Sequence, residues 1–313
     1  MSTQVTLAAS AAPPAGEEQG HRLRLAFGYV LASGLILGLA LYGFDFYLLD
    51  AGQRPFSPKY ELLKPGGTVG VKLGFLGLVL FLAIFLYPLR KRWTWLASQG
   101  NSKHWLDVHV LMGLTAPFVV AFHSSFKFRG FAGMAFWIMV AVAVSGVIGR
   151  YLYAQIPRHL TAAELSLKES RELQTELTQR MAAQRQLAAR HLEPLFRLPA
   201  PERVAGWPVL VALGYMVALD VARPFRIAAL RRRTLGAAGT LATLGGLLAA
   251  RNSELEQVIA AAREQAALSK RLLFLSRSQQ VFHLWHVVHK PFSYSFALLA
   301  MVHISVVLML GYR

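Results

Sequence analysis

Five long apolar stretches constrain the fold of this chain more than any other feature of its sequence. They cover about residues 25–49, 69–89, 105–126, 131–153 and 281–311. The hydrocarbon core of a bilayer is about 30 Å thick, and an α-helix needs roughly 20 apolar residues to cross it. Hydrophobic residues occupy 55% of the 313 positions and charged residues only 16%, a composition too apolar for a soluble domain of this size. The sequence therefore predicts an all-α bundle of about five transmembrane helices.

The basic residues predict how these helices are oriented. They cluster between the second and third stretches and again after the fourth: Arg90, Lys91, Arg92, Lys103, Arg150 and Arg158. By the positive-inside rule both segments face the cytoplasm. The N-terminus is then cytoplasmic as well, and we expect a multi-pass protein of a bacterial inner (cytoplasmic) membrane.

The order of the apolar and polar segments predicts four regions. Residues 1–24 lack the charged start and apolar core of a signal peptide and are predicted to be a disordered tail. Residues 25–153 hold the first four transmembrane helices, and residues 281–313 hold the fifth. Residues 154–280 lie between them and are predicted to form a cytoplasmic helical insertion.

The two ends of this insertion have the pattern of a helical hairpin. Thr161 and Glu164 form a capping box ahead of an amphipathic stretch, and about residues 250–280 are amphipathic too. The middle is apolar at about 204–222 and 234–250. If both segments crossed the membrane, the arginine cluster between them would face outward, against the positive-inside rule. We therefore favour helices at the membrane surface, with these arginines at the lipid head groups, over two further spans.

Cysteine content and net charge exclude several classes of function. The chain has no cysteine, which excludes disulfides, Cys-ligated iron–sulfur clusters and covalently attached c-type haem. The net charge of +17 would suit nucleic-acid binding, but Lys and Arg lie beside apolar stretches, as membrane anchors do. No basic and aromatic groove pattern accompanies them. We expect membrane lipid and no nucleic acid as partners, and any redox group must be bound non-covalently.

Two histidine pairs have the same spacing in the third and fifth stretches. His109 and His123 are 14 residues apart, and so are His289 and His303. Fourteen residues advance an α-helix by about four turns, to within roughly 40°, and by roughly 21 Å, so each pair shares one helix face. Both helices run outward from the cytoplasm. His109 is therefore predicted to face His289 at the inner level, and His123 to face His303 at the outer level.

Two imidazoles that face each other at one depth are suited to bind a haem iron from both sides. A lone histidine in a membrane helix is more often a hydrogen-bonded helix contact. Ionisable groups inside the bilayer are costly, however, and four of them at matched depths indicate a function. The pattern predicts two haem b groups, the inner iron held by His109 and His289 and the outer iron by His123 and His303.

Other residues near the predicted haems are weaker candidates. Gly113 and Gly146 offer a small surface against which a flat macrocycle could pack. Arg150 on the inner side, and Lys127 and Arg129 on the outer side, are placed to pair with haem propionates. A role as plain interfacial anchors is an equal alternative for each of these cations.

The remaining polar groups at the inner ends of the helices have open alternatives. Asp107 either orients His109 or relays protons, or it is simply a hydrated carboxylate at the helix entrance. His104, His283 and His286 are more often interface residues, although His286 or His104 could lie near a quinone or relay a proton. His21, His159 and His191 are predicted to be solvated surface residues.

The histidine spacing resembles that of the ferric-reductase-like and NADPH-oxidase-like transmembrane domain and, more broadly, of the respiratory di-haem cytochromes b. In these families, as here, about 13 residues separate the two histidines of each pair. The matching stretches are His109-Val-Leu-Met-Gly113 to His123 and Trp285-His286-Val-Val-His289-Lys-Pro-Phe292 to Val302-His303. The resemblance covers roughly half of the chain and implies two haems without choosing among these families.

The chain also departs from the ferric reductases and oxidases. Those proteins continue into flavin- and nicotinamide-binding domains, whereas this sequence has no G-x-G-x-x-G phosphate loop, so we expect no direct hydride transfer from NADPH. The long insertion instead resembles bacterial cytochrome-b-like subunits that work beside separate iron–sulfur or flavin proteins. That match depends on Gly149-Arg-Tyr-Leu-Tyr153, on Ile156-Pro-Arg158 and on the His-Lys-Pro-Phe run.

The implied function is that of an electron-transfer subunit in a multi-subunit oxidoreductase complex of a respiratory chain. Electrons would pass between a cytoplasmic-side redox protein or quinone and an outer-side partner. The partner would be an iron–sulfur, flavin or c-type cytochrome subunit, and the basic insertion favours docking of an acidic face. Two alternatives stay open: a quinol-oxidising or ferric-reductase-like membrane enzyme, and a haem-free membrane scaffold or transporter.

Overall fold

The computed structural model describes residues 15–156, 168, 172, 175–176, 179, 197–235, 243–250 and 252–311, and these residues form helices joined by turns and loops. It divides into two compact units. The first consists of Met1–Arg150 with Val287–Arg313, and the second of Tyr151–His286. Short single turns connect the long helices at Phe44–Tyr47, Arg54–Phe56, Tyr60–Leu63, Thr94–Ala97 and Pro201–Ala205.

Within the described residues, seven helices have 21 residues or more. They are α1 (Ala15–Tyr42), α2 (Thr68–Arg90), α3 (Ser102–His123), α4 (Gly130–Gln155), α5 (Val209–Thr234), α6 (Ser253–Leu273) and α7 (Leu275–Met309). Five of these described helices, α1 to α4 and α7, are long and apolar enough to cross a membrane. The predicted all-α, multi-pass architecture is thereby confirmed.

The N-terminal helix begins earlier than the sequence indicates. The tail predicted over 1–24 is helical from Ala15 onward. Glu17 and Glu18 lie in the first turn, where carboxylates are stabilised by the partial positive charge of a helix N-terminus. The helix ends at Tyr42, and the N–H of Gly43 still bonds to the carbonyl of Leu39 at 2.9 Å.

Two apolar clusters hold the first unit together. In one, Leu73, Val119 and Phe122 are buried where α2 and α3 pack with the end of α1. In the other, Ala116 of α3 and Phe136 of α4 are buried with side chains of α2 and α7. In a bilayer such contacts stabilise the fold through close van der Waals packing, because lipid tails are as apolar as these side chains.

The outer surface of these helices is apolar. Exposed side chains include Phe27, Phe75, Trp137 and Leu298. A soluble protein rarely exposes so many large apolar groups, because their transfer from water is favourable. Contact with lipid accounts for this surface.

A buried arginine fixes the loops at the end of the bundle that is predicted to face outward. Arg54 donates to the carbonyl oxygens of Leu49 and Tyr47, each at 3.0 Å, and to that of Ser125. The hydroxyl of Ser125 donates in turn to the carbonyl of Leu63 at 2.6 Å. These bonds join the α1–α2 loop to the α3–α4 loop.

A second buried arginine folds the α2–α3 loop. Arg90 donates to the carbonyl oxygens of Ala97 at 2.9 Å and Gly100 at 2.8 Å. Sequence analysis treats Arg90 as one of the anchors that face the membrane surface, but only 9% of the residue is exposed. Its charge is engaged by the backbone of its own loop.

In the second unit, α5 and α6 form an antiparallel hairpin. The end of α5 (Ile227, Leu230) packs on the start of α6 (Leu255, Val258). The start of α5 (Ala212, Met216) packs with Phe274, which follows α6. Sequence analysis pairs about 250–280 with the stretch after the Thr161–Glu164 capping box instead. That stretch lies largely outside the described residues, and Thr161 and Glu164 are among those not described.

The arginine cluster of α5 is partly engaged within this hairpin. Arg231 is 8% exposed and bonds to both carboxylate oxygens of Glu256, at 2.8 and 2.6 Å. Burial raises the pKa of Glu256, but the bonds from Arg231 and from the N–H of Ala250 outweigh it and hold that pKa below its usual value. Arg232 and Arg233 are exposed. The placement of the arginine cluster at lipid head groups therefore stays a prediction for exposed members such as these two, and it does not apply to Arg231.

Candidate functional site

The ring of His109 is oriented by a backbone carbonyl of α2. Its Nδ1 lies 3.0 Å from the carbonyl oxygen of Ile84, and because a carbonyl only accepts, Nδ1 carries the proton. In an α-helix this carbonyl would accept from the residue four positions later, which here is Pro88 and has no N–H. The proline frees the acceptor that holds His109, and the lone pair on Nε2 is left for another partner.

His123 donates to the same helix in the same way. Its Nδ1 lies 2.8 Å from the carbonyl oxygen of Gly70. The residue four positions after this acceptor is Gly74, and a methyl group there would lie 2.8 Å from Cε1 of His123. That separation is shorter than van der Waals contact, so only glycine lets the ring approach as it does. The lone pair of His123 is again on Nε2.

Helix α2 thus repeats the spacing of the histidines that it orients. Its two acceptor residues, Gly70 and Ile84, are 14 residues apart, and so are Gly74 and Pro88. Because α2 and α3 are antiparallel, Gly70 near the start of α2 meets His123 at the end of α3, and Ile84 near the end of α2 meets His109 near the start of α3. Sequence analysis assigns α2 no role in the site, although the spacing of Gly74 and Pro88 was a signal that could have been noticed.

On α7 the ring of His289 is oriented by a side chain. Its Nδ1 lies 2.7 Å from the hydroxyl oxygen of Ser145 on α4. That hydroxyl donates to the carbonyl of Val142 at 2.8 Å, so it accepts from His289. A methyl group on Gly146 would lie 3.9 Å from Cε1 of His289, an ordinary contact. With the proton on Nδ1, the lone pair of the His289 ring is on Nε2.

Aromatic and charged side chains lie near the inner histidine of α3. The ring of Tyr87 lies 5.2 Å from that of His109, and Nζ of Lys91 lies 5.1 Å from the centre of the Tyr87 ring. Burial lowers the pKa of Lys91, and Lys290, which follows His289, lowers it further.

The midpoints of the two pairs lie in one apolar cluster. Ala116 is seven residues from both His109 and His123, and Phe296 is seven residues from both His289 and His303. Ala116 is buried in the cluster against which Phe296 packs. Seven residues are close to two helical turns, so both midpoints share the face of their histidines. This shared cluster is what the predicted pairing of inner with inner and outer with outer histidines requires, and the pairing itself stays a prediction.

The donor set fits two haem sites of two imidazoles each. A histidine that binds a metal through one nitrogen usually donates its other N–H to a carbonyl or hydroxyl, as His109, His123 and His289 do. A methyl group on Gly113 would meet no atom within 4 Å, which leaves room beside α3 for a flat ring. No group of three or more His, Asp or Glu side chains that could hold a metal ion is found in the described residues, and two-histidine sites do not need one.

The predicted propionate partners differ in their surroundings. Arg150 donates to Oδ1 of Asp107 at 2.6 Å, so a protein carboxylate already holds it. Asp107 is only 7% exposed, which excludes the alternative of a hydrated group at the helix entrance. Lys127 and Arg129 are exposed in the loop between α3 and α4, and their pairing with propionates stays a prediction.

Sequence analysis missed a polar network between α1 and the start of α3. Glu18 accepts from Lys103 at 2.5 Å and lies 3.3 Å from Nε2 of His104. The ring of His104 stacks on that of His21 at 3.7 Å between centroids, and His21 contacts Asp107 at 3.2 Å. The prediction that His21 is solvated is wrong, because only 6% of it is exposed. Glu18 and His21, three residues apart on α1, were the available signal.

No family model matches this chain, and no curated protein or solved structure is significantly similar to it.

Proposed function

We propose that this chain is a di-haem b-type cytochrome subunit that transfers electrons across the membrane. The proposal depends chiefly on one observation. Helices α3 and α7 each carry a histidine pair of the same spacing, and three of the four rings have Nδ1 bound to an acceptor of the bundle. The fixed Nδ1–H determines which nitrogen is available to a metal and holds the ring in place.

Each pair of residues has a defined role in this proposal. His109 and His289 hold the inner haem iron, and His123 and His303 hold the outer one. With imidazole on both sides of the iron, a b-type haem supplies reversible one-electron chemistry without an open position for oxygen. The carbonyls of α2 and the hydroxyl of Ser145 keep the rings oriented while the charge at each level changes.

The distance between the two levels suits electron transfer along the bundle. The histidines of one helix are separated by roughly 21 Å along its axis, so the edges of two macrocycles would be considerably closer. Phe296 and Ala116 belong to the apolar cluster between the levels. This apolar filling excludes water between the levels and keeps their separation constant.

The setting of the protein follows from its charges. We propose a bacterial inner membrane with the N-terminus in the cytoplasm, because the basic segments flank α2, α3 and α4 on one side. The donor or acceptor on that side is an acidic iron–sulfur or flavin protein or a quinone, and a further redox subunit such as a c-type cytochrome binds on the other side. The chain is then one subunit of a larger complex.

The first test is whether the protein purified from its native membrane carries haem b. The proposal expects sharp low-spin bands in the reduced spectrum and about two acid-extractable haems per chain, because paired imidazoles give a low-spin iron. His283→Ala serves as the matched control, since His283 is exposed on the same helix as His289. A colourless protein, or a spectrum that His283→Ala alters as much as His289→Ala does, would contradict the proposal.

A further inference from the structure

A cluster of cations surrounds one carboxylate in the second unit. Asp220 of α5 accepts from Nζ of Lys270 at 2.5 Å and lies 3.2 Å from Nη2 of Arg223. The hydroxyl of Tyr151 donates to it at 2.7 Å. The side chain of Lys270 is only 3% exposed, so Asp220 holds a buried ammonium group in a fixed position. Removing such a buried charge from water is costly unless it is well paired.

These cations line a cleft in the α5–α6 hairpin. The cleft measures about 260 Å³ when its open mouth is included. Three of its lining residues are basic and three are apolar: Arg223, Arg226, Lys270, Leu198, Leu219 and Ala266. The basic groups converge on a small space, and the apolar ones form the rest of its wall.

The electrostatic surroundings of the cleft favour an anion. Burial lowers the pKa of Lys270, and Arg223 and Arg271 lower it further, against the opposite effect of Asp220. Burial also lowers the pKa of Arg223, and Arg263 and Arg271 add to that effect. Cations whose charge is disfavoured by burial and by each other are stabilised by a bound anion.

We propose that this cleft binds a phosphate-bearing ligand, with Arg223, Arg226 and Lys270 as the donors. A phosphate group offers several oxygens in a tetrahedral arrangement, which suits forked guanidinium donors and a point-charge ammonium that converge from different directions. Leu198, Leu219 and Ala266 contact the carbon part of the ligand. The head group of an anionic phospholipid and a soluble phosphate compound share this chemistry.

This site is separate from the proposed haem function. None of its residues belongs to the histidine pairs or to their acceptors, and it lies in the other compact unit. Its failure would therefore leave the haem proposal intact, and the reverse also holds. The ligand would anchor or regulate the cytoplasmic insertion in either case.

The test measures phosphate binding by the full-length protein in detergent, in two arms. In the first, inorganic phosphate is titrated by calorimetry. In the second, the protein is mixed with phosphatidylglycerol or phosphatidylcholine, and retained lipid is counted by native mass spectrometry. Arg226→Gln is the main variant, because it leaves the pairs of Asp220 with Lys270 and Arg223 in place.

The matched control removes equal or greater charge from the same helix outside the cleft. Arg232→Gln/Arg233→Gln alters two exposed arginines of α5. We expect about tenfold weaker binding for Arg226→Gln, the effect of one lost charge-assisted hydrogen bond, and less than about twofold for the control. Arg223→Gln/Arg226→Gln should weaken binding further, provided that its helix content by circular dichroism equals that of the wild type.

Each outcome is decisive for the site. Arg226-dependent binding of inorganic phosphate identifies a soluble ligand, and Arg226-dependent retention of phosphatidylglycerol but not phosphatidylcholine identifies a lipid head group. If the double variant does not fold, Arg226→Gln alone decides. The proposal is overturned if the wild type binds neither probe, or if the control weakens binding as much as Arg226→Gln.

Discussion

The proposed inner and outer histidine levels use the same kind of hydrogen bond but obtain it from different parts of the chain. On α3, both His109 and His123 donate to carbonyls of α2, one freed by Pro88 and the other made accessible by Gly74. On α7, His289 donates to the hydroxyl of Ser145 instead. The inner level therefore combines a backbone acceptor with a side-chain acceptor.

This difference shows which parts of the site can be changed separately. A backbone carbonyl cannot be removed by substitution. The orientation of His123 can therefore be changed only through residues that control access to the carbonyl of Gly70. A serine hydroxyl can be removed without moving the backbone. Mutations at the two levels should therefore have different effects. At the outer level we expect loss of the haem, and at the inner level we expect a change in the redox potential of the haem.

The largest effect is expected for Gly74→Leu. A side chain at this position collides with the ring of His123, because even a methyl group would lie 2.8 Å from its Cε1. The variant should lose the outer haem and keep the inner one, so the haem content should fall by about half. The extracted haem per chain measures this.

The control for this variant is Gly38→Leu on α1. Gly38 has no atom within 4 Å of the position that a methyl group would take. The control should retain its full haem content. Equal losses in both variants would show that bulk in any membrane helix, and not access to His123, decides the result.

A smaller effect is expected for Ser145→Ala. Without the hydroxyl, the Nδ1–H of His289 loses its acceptor, and the imidazole donates less electron density to a bound iron. The ferric state is then less stabilised, so the potential of the inner haem should rise. A hydrogen bond of about 1 kcal/mol corresponds to an upward shift on the order of 40 mV for one electron.

Redox titration of the two haems separates this effect from general damage. The potential of the outer haem should stay constant, and Ser145→Thr, which keeps the hydroxyl, should restore the inner one. A shift of both potentials, or no rescue by threonine, would mean that Ser145 does not orient His289 specifically.

The smallest effect is expected for Pro88→Ala. The new N–H competes with His109 for the carbonyl of Ile84, but that oxygen has two lone pairs and is able to accept both donors. The inner potential should therefore rise by less than in Ser145→Ala. Leu86→Ala, an exposed position on the same helix, is the control and should leave the potential unchanged. An equal shift of the inner potential in Pro88→Ala and Leu86→Ala would show that Pro88 has no specific effect on His109.

The helices themselves were largely predictable because hydrophobic length is a local signal. The predicted stretches 69–89, 105–126 and 131–153 lie within a few residues of α2, α3 and α4. α1 and α7 begin ten and six residues earlier than predicted, at Ala15 and Leu275. Polar residues at helix entrances hide such starts, since they are helical but not apolar.

Apart from the 14-residue spacing of Gly74 and Pro88, the sequence held no signal of the contacts that orient the site. The bond from His109 to Ile84 joins residues 25 positions apart, and the bond from Arg54 to Ser125 joins residues 71 positions apart. Neither has a periodic pattern. Burial of Arg90 and His21 depends on the same kind of long-range packing, which is why both were assigned to the surface.

The most direct test of the account counts haem in pairs of histidine substitutions. His109→Ala/His289→Ala removes both ligands of one level, whereas His109→Ala/His303→Ala removes one ligand from each. If the two helices pair their histidines level by level, the first variant retains about one haem per chain and the second retains none. If both variants hold the same amount of haem, the levels are not paired as proposed and the account fails.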